Sequence, residues 1–97
     1  MKWIKLKYKN KEYTSEKEII NILESEKLFD FIEADMENVV FEIKNGVIIF
    51  ESGNFIYGEW KFGIFRDGVF QGKWYNGIWE GGIFKGHWFD GVNHKPN

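Results

Sequence analysis

The sequence predicts an α+β domain: an N-terminal hairpin and one helix packed on a continuous antiparallel β-meander of 14-residue glycine–aromatic repeats. Three observations predict it. Glycine returns every four or five residues from Gly53 to Gly91, with aromatics between the glycines. The opening of the chain alternates apolar and charged residues with the period of a strand, and a serine-led cap precedes an apolar stripe with the period of a helix. We read residues 1–97 as a single domain, with a cap region over 1–52, the repeats over 53–91 and a frayed polar tail over 92–97.

In Met1–Tyr8, Ile4, Leu6 and Tyr8 fall on one face and Lys5, Lys7 and Lys9 on the other, as expected of a half-buried strand. Asn10-Lys11 offers a turn into Glu12–Thr14. The lysine row reads as a solvated face or a strand edge charged against aggregation. Ser15-Glu16-Lys17-Glu18 has the spacing of a capping box. The helix it starts points Ile19, Ile20, Ile22 and Leu23 toward the core. Beyond Ser25 the stripe shifts, so either the helix breaks near Ser25–Lys27 or Leu28–Ile32 is a separate short element. Asp30, Glu33, Asp35 and Glu37 make this segment acidic, and a solvated face is the reading without a nearby histidine. Val39–Ile43 and Val47–Phe50 are β-branched runs joined by Asn45-Gly46, a strong hairpin signal because a type I′ turn needs positive φ at both central residues. Ser52-Gly53 then turns into the repeats.

The repeats begin at Gly58-Glu59-Trp60-Lys61-Phe62-Gly63, return at Gly72-Lys73-Trp74-Tyr75-Asn76-Gly77, and start again at Gly86-His87-Trp88-Phe89-Asp90-Gly91. Asp67-Gly68, Asn76-Gly77, Gly81-Gly82 and Asp90-Gly91 are read as hairpin turns, with extended runs at Val69–Tyr75 and Ile83–Phe89. Alternation then places Phe70, Gly72 and Trp74 on one face, and Phe84, Gly86 and Trp88 on the same face one unit later. A glycine between two rings leaves a hole that a neighbouring ring can cover. Tyr57, Tyr75, His87 and Phe89 lie on the opposite, wetter face.

Phe70-x-Gly72-x-Trp74-x-Asn76-Gly77-x-x-x-Gly81 resembles the core of a MORN repeat, and Phe84-x-Gly86-x-Trp88-x-Asp90-Gly91 resembles its first half. Gly58-x-Trp60-x-x-Gly63 follows the same pattern with Ile56 in place of the leading aromatic. The resemblance covers the repeats only, and these units are shorter than MORN units. Compressed arrays of this kind are also similar to those of tailed-phage proteins. The resemblance implies a hairpin meander used for protein or membrane contact, and it brings no catalytic residue with it.

The sequence has 97 residues and no cysteine, which excludes disulfides and thiolate metal sites, and its net charge of −2 argues against general nucleic-acid binding. No apolar run has the length of a membrane span, and no signal-peptide core opens the chain, so a cytoplasmic protein is expected. The only histidines are His87 and His94, and no nucleophile–base pair, phosphate loop or metal spacing is present. A non-enzymatic module without catalytic residues, metal or cofactor is therefore expected. Its aromatic sheet would dock another protein or a second copy, as a small adaptor or stoichiometric inhibitor. The predicted contact residues are Trp60, Phe70, Trp74, Trp79, Phe84 and Trp88. The alternative is a glycan or lipid head group on aromatic platforms, with Tyr57, Tyr75, His87 and Phe89 as candidates.

Overall fold

A computed structural model describes residues 1–89. The predicted tail and the Asp90-Gly91 turn lie outside the described residues. β1 (Trp3–Tyr8) pairs antiparallel with β2 (Lys11–Tyr13), so the N-terminal hairpin forms. Its turn sits one residue earlier than expected, with Lys9 and Asn10 both at positive φ. The register of β1 against the later β3 shifts between Trp3 and Lys5. This irregularity re-aims the strand: Trp3 and Leu6 are buried while Ile4, expected inside, is exposed.

α1 (Glu16–Ser25) starts at the predicted cap, where Ser15 Oγ accepts the Glu18 N–H at 3.4 Å, and buries Ile19 and Leu23. After α1 the chain makes a second short helix, α2 (Phe29–Glu33), whose Phe31 is buried. The fold therefore has two helices where its overall class predicts one. Of the two readings of this stretch, the separate short element at Leu28–Ile32 is the one that forms, because the apolar stripe shifts after Ser25. β3 (Asp35–Lys44) and β4 (Val47–Tyr57) form the second hairpin, and the Asn45-Gly46 turn has φ of 54° and 75° as a type I′ turn requires. β4 does not end at Ser52-Gly53. It runs on through Gly53 at φ 115°, where a Cβ would strike the Asn38 carbonyl and the Val39 backbone. β3 lies between β4 and β1 and is parallel to β1.

The repeats depart from the expected antiparallel meander. Seven two-residue strands follow β4: β5 (Glu59–Trp60), β6 (Ile64–Phe65), β7 (Val69–Phe70), β8 (Lys73–Trp74), β9 (Ile78–Trp79), β10 (Ile83–Phe84) and β11 (His87–Trp88). Every pairing among them is parallel, with partners fourteen residues apart: Ile64 beside Ile78, Val69 beside Ile83, Glu59 beside Lys73 and Lys73 beside His87. β6 and β7 pair in parallel with the two halves of β4. The chain therefore winds as a three-sided coil, one repeat per turn, stacked on β4 and β5. The extended runs Val69–Tyr75 and Ile83–Phe89 are broken at Gly72 and Gly86, so Phe70 and Trp74 sit on different sides and both point inward.

Glycine spacing makes this geometry. Each side has only two paired residues before the backbone must turn a corner, and at each corner the coils approach too closely for a side chain. A Cβ on Gly72 would lie 2.6 Å from the Gly58 carbonyl oxygen and 2.7 Å from Phe55 Cε1. Gly68, by contrast, has φ 120°, a value L side chains rarely adopt, and its Cβ would strike the Gly53 carbonyl.

Inside the coil the aromatics form three ladders. Phe50, Phe65 and Trp79 stack at 4.4 and 4.7 Å; Phe55, Phe70 and Phe84 at 4.9 and 5.6 Å; Trp60 and Trp74 at 5.5 Å. Rings on adjacent ladders meet edge to face, as Phe70 and Trp74 do at 5.4 Å and 82°. The stack carries a cost, because the buried Trp60 and Trp74 indole N–H groups have no acceptor among the described residues. Phe31 of α2 closes the base, with its ring 6.4 Å from both Phe55 and Trp60.

Candidate functional site

The base of the stack is covered, whereas among the described residues no further strand lies on its far, open end. Among the described residues β9, β10 and β11 each pair on one side only, with β6, β7 and β8. The N–H groups of Ile78, Glu80, Ile83, Lys85, His87 and Phe89 donate to the coil below, onto Gly63, Phe65, Gly68, Phe70, Gly72 and Trp74. Alternation then turns the backbone groups of Trp79, Phe84 and Trp88, which lie between those donors, toward the open side. These residues also carry the last inward rings, and each is half-buried where the equivalent ring one coil earlier is fully covered. Around them Ile78 is 56% and Ile83 54% exposed.

Three predicted contact residues do not belong to this surface. Trp60, Phe70 and Trp74 are buried in the aromatic core of their own chain, because the parallel coil turns inward the face that a meander would have left flat. Trp79, Phe84 and Trp88 are brought together at the open end. Sequence reasoning missed the rim residues Ile78, Glu80, Ile83 and Lys85. Their signal was present, since each stands at or next to a corner glycine of the last described coil.

Charge runs along the outside of the stack in register. Arg66 bridges Glu51 at 3.5 Å and Glu80 at 3.3 Å, so one ladder reads minus, plus, minus up to the open end. On the third side Glu59, Lys73 and His87 stand in line, and Tyr75 stacks on Phe89 at 4.7 Å. The candidates of the wetter face therefore split into two groups. Tyr75 and Phe89 pack on each other, while Tyr57 and His87 line a groove between α2 and the third side.

That groove has a volume of about 510 Å³ and is also lined by Asp30, Glu33, Glu59 and Lys73. Tyr57 is 67% exposed at its edge. Nearby, Lys61 reaches Glu59 at 3.2 Å and Asp30 at 3.6 Å, and these two carboxylates, Glu59 first, raise its pKa above the ordinary lysine value. Glu59 also accepts the Tyr75 hydroxyl at 3.4 Å. Among the described residues no three histidine, cysteine or acidic side chains converge as metal ligands. No described helix is long and apolar enough to cross a membrane.

No protein-family model, curated protein or solved structure matches the chain.

Proposed function

We propose that this chain is a non-enzymatic interaction module that docks a protein surface on the open end of its coil stack. The observation that carries the reading is the half-buried triad Trp79, Phe84 and Trp88, set within three strands that each pair on one side only among the described residues. Unpaired strand edges invite another chain, and tryptophan at such an edge is the residue type that anchors interfaces. A compressed MORN-like array, serving as a cytoplasmic adaptor or stoichiometric inhibitor of the phage type, fits a scaffold that offers a shaped end and little chemistry.

The test is Trp88→Ala. The ring is half-buried at the last described strand, so its loss weakens complex formation more than folding. Sedimentation of the variant with candidate protein partners, beside a thermal melt, reads both quantities. Complexes as tight as wild type would refute the open end as the docking surface.

The groove supports a second reading, in which a glycan or lipid head group lies against Tyr57 and between Glu33 and Lys73. The exposed phenol beside carboxylates and an ammonium is the observation in its favour. Retention on glycan and lipid arrays, lost in Tyr57→Ala and kept in Trp88→Ala, would select this reading over the first.

A further inference from the structure

We infer that the occupant of the open end is a second copy of this chain, docked end to end about a twofold axis that crosses β10; the inference rests on the reading of that end as a docking surface. Three features favour a second copy over an unrelated protein.

The first is shape. The end is a three-sided coil edge, with one inward ring and one outward-turned backbone residue on each side. A second copy presents the same pattern. A twofold rotation across β10 reverses strand direction, so β10 meets its twin antiparallel, and β9 meets the second copy's β11. Antiparallel edges make perpendicular, well-aligned bonds. Phe84 then faces its twin and Trp79 faces the second copy's Trp88. This continues the ladders, whose last rungs within one chain are 4.7 Å for Phe65–Trp79 and 5.6 Å for Phe70–Phe84.

The second is charge. The corners on either side of β10 carry opposite signs, Glu80 before it and Lys85 after it, and both are exposed. A rim that only repelled other chains would carry one sign. Under the twofold rotation Glu80 comes beside the second copy's Lys85, and Lys85 beside its Glu80. The Glu51–Arg66–Glu80 ladder asks for the same cation, since it ends on a carboxylate at the open side.

The third is size. Fourteen residues at ~3.3 Å each enclose a triangle with sides of about 15 Å. Such an end buries less than the ~800 Å² per partner of a standard interface. The association is therefore weak, and a small surface is best used by a partner whose edges and rings match it at every side.

The experiment is sedimentation equilibrium of the full chain at roughly 100 μM, where a complex of micromolar Kd is well populated. Wild type is expected to dimerise. Glu80→Lys and Lys85→Glu each place like charges at both symmetric contacts, and each should weaken the dimer by about fivefold or more. An equimolar mixture of the two variants restores opposite charges at both contacts and should recover the dimer as a heterodimer. A monomeric wild type, or a dimer indifferent to both substitutions and to their mixing, would overturn the inference. Hydrogen exchange at the Trp79, Phe84 and Trp88 amides separates the two ways it can fail. Fast exchange in a monomeric wild type leaves the end free for a different protein, so the second copy is excluded and the docking surface stands. Slow exchange in a monomer means the end is closed by its own chain, and both ideas fall.

Discussion

Gly72→Ala is the smallest perturbation that probes how the coils stack. The substitution adds one carbon. Gly72 is not at positive φ, so the variant has no backbone penalty and its effect is purely steric. The added Cβ lies 2.6 Å from the Gly58 carbonyl oxygen and 2.7 Å from Phe55 Cε1, both far inside van der Waals contact. Neither neighbour is free to leave: the Gly58 carbonyl accepts the Lys73 N–H at 2.8 Å, and Phe55 is buried and stacked on Phe70. Overpacking of this kind costs about 1–3 kcal/mol, and a stretched Lys73–Gly58 bond adds up to about 1 kcal/mol. Loss of chain freedom in the unfolded state offsets about 0.4–1 kcal/mol. The net is a destabilisation of about 1–3 kcal/mol, or a fall in Tm of roughly 5–20 °C for a domain of this size. Gly81→Ala is the control. Gly81 is also outside the positive-φ region, and its Cβ would meet only the Arg66 carbonyl, at 3.2 Å. Its Tm should stay within about 3 °C of wild type, the shift of roughly half a kcal/mol. Differential scanning calorimetry on the three chains decides the matter. Equal shifts in the two variants, or a more stable Gly72→Ala, would refute close coil contact at Gly72.

Other perturbations follow from the same packing. Trp74→Ala empties a fully buried rung and should cost about 3–5 kcal/mol, read as urea unfolding, whereas Trp88→Ala on the half-buried last strand should cost clearly less. Ser15→Ala should cost about 0.5–1 kcal/mol, the low end for an N-cap, because the cap bond is long at 3.4 Å; an unchanged melt would show that the bond contributes nothing. The Tyr8 hydroxyl donates to Glu26 at 2.6 Å, and this bond raises its pKa above the ordinary tyrosine value. A raised folded pKa means the contribution is full below the unfolded value of about 10 and is lost as pH rises through the folded value. Ultraviolet titration should therefore find one phenol ionising late in wild type and earlier in Glu26→Gln.

The sequence carried the period of the fold more clearly than its direction. Asn45-Gly46 and Asp67-Gly68 look alike as residues, yet the first closes a hairpin and the second a coil corner. At the hairpin both residues have positive φ, whereas at the corner only Gly68 does. A dipeptide does not report that difference. The spacing of large rings does: Phe50, Phe55, Trp60, Phe65, Phe70, Trp74, Trp79, Phe84 and Trp88 recur every four or five residues, the length of one side of a three-sided coil. Two-residue strands are too short for alternation to assign faces, which is why Trp60, Phe70 and Trp74 read as a flat exposed face and are in fact core. The position of Trp88 late in the array was legible. The groove beneath α2 was not, because it forms only when Ala34 packs on Gly58, a contact across the fold with no sequence period.

The fourteen-residue parallel register sets the whole arrangement of the coil, and backbone NOE spectroscopy on the uniformly labelled chain tests it directly. Cross-strand contacts between Ile64 and Ile78, Val69 and Ile83, and Lys73 and His87 are predicted. Hairpin contacts across Asp67-Gly68, such as Ile64 backbone to Gln71 backbone, with the fourteen-residue contacts missing, would contradict it.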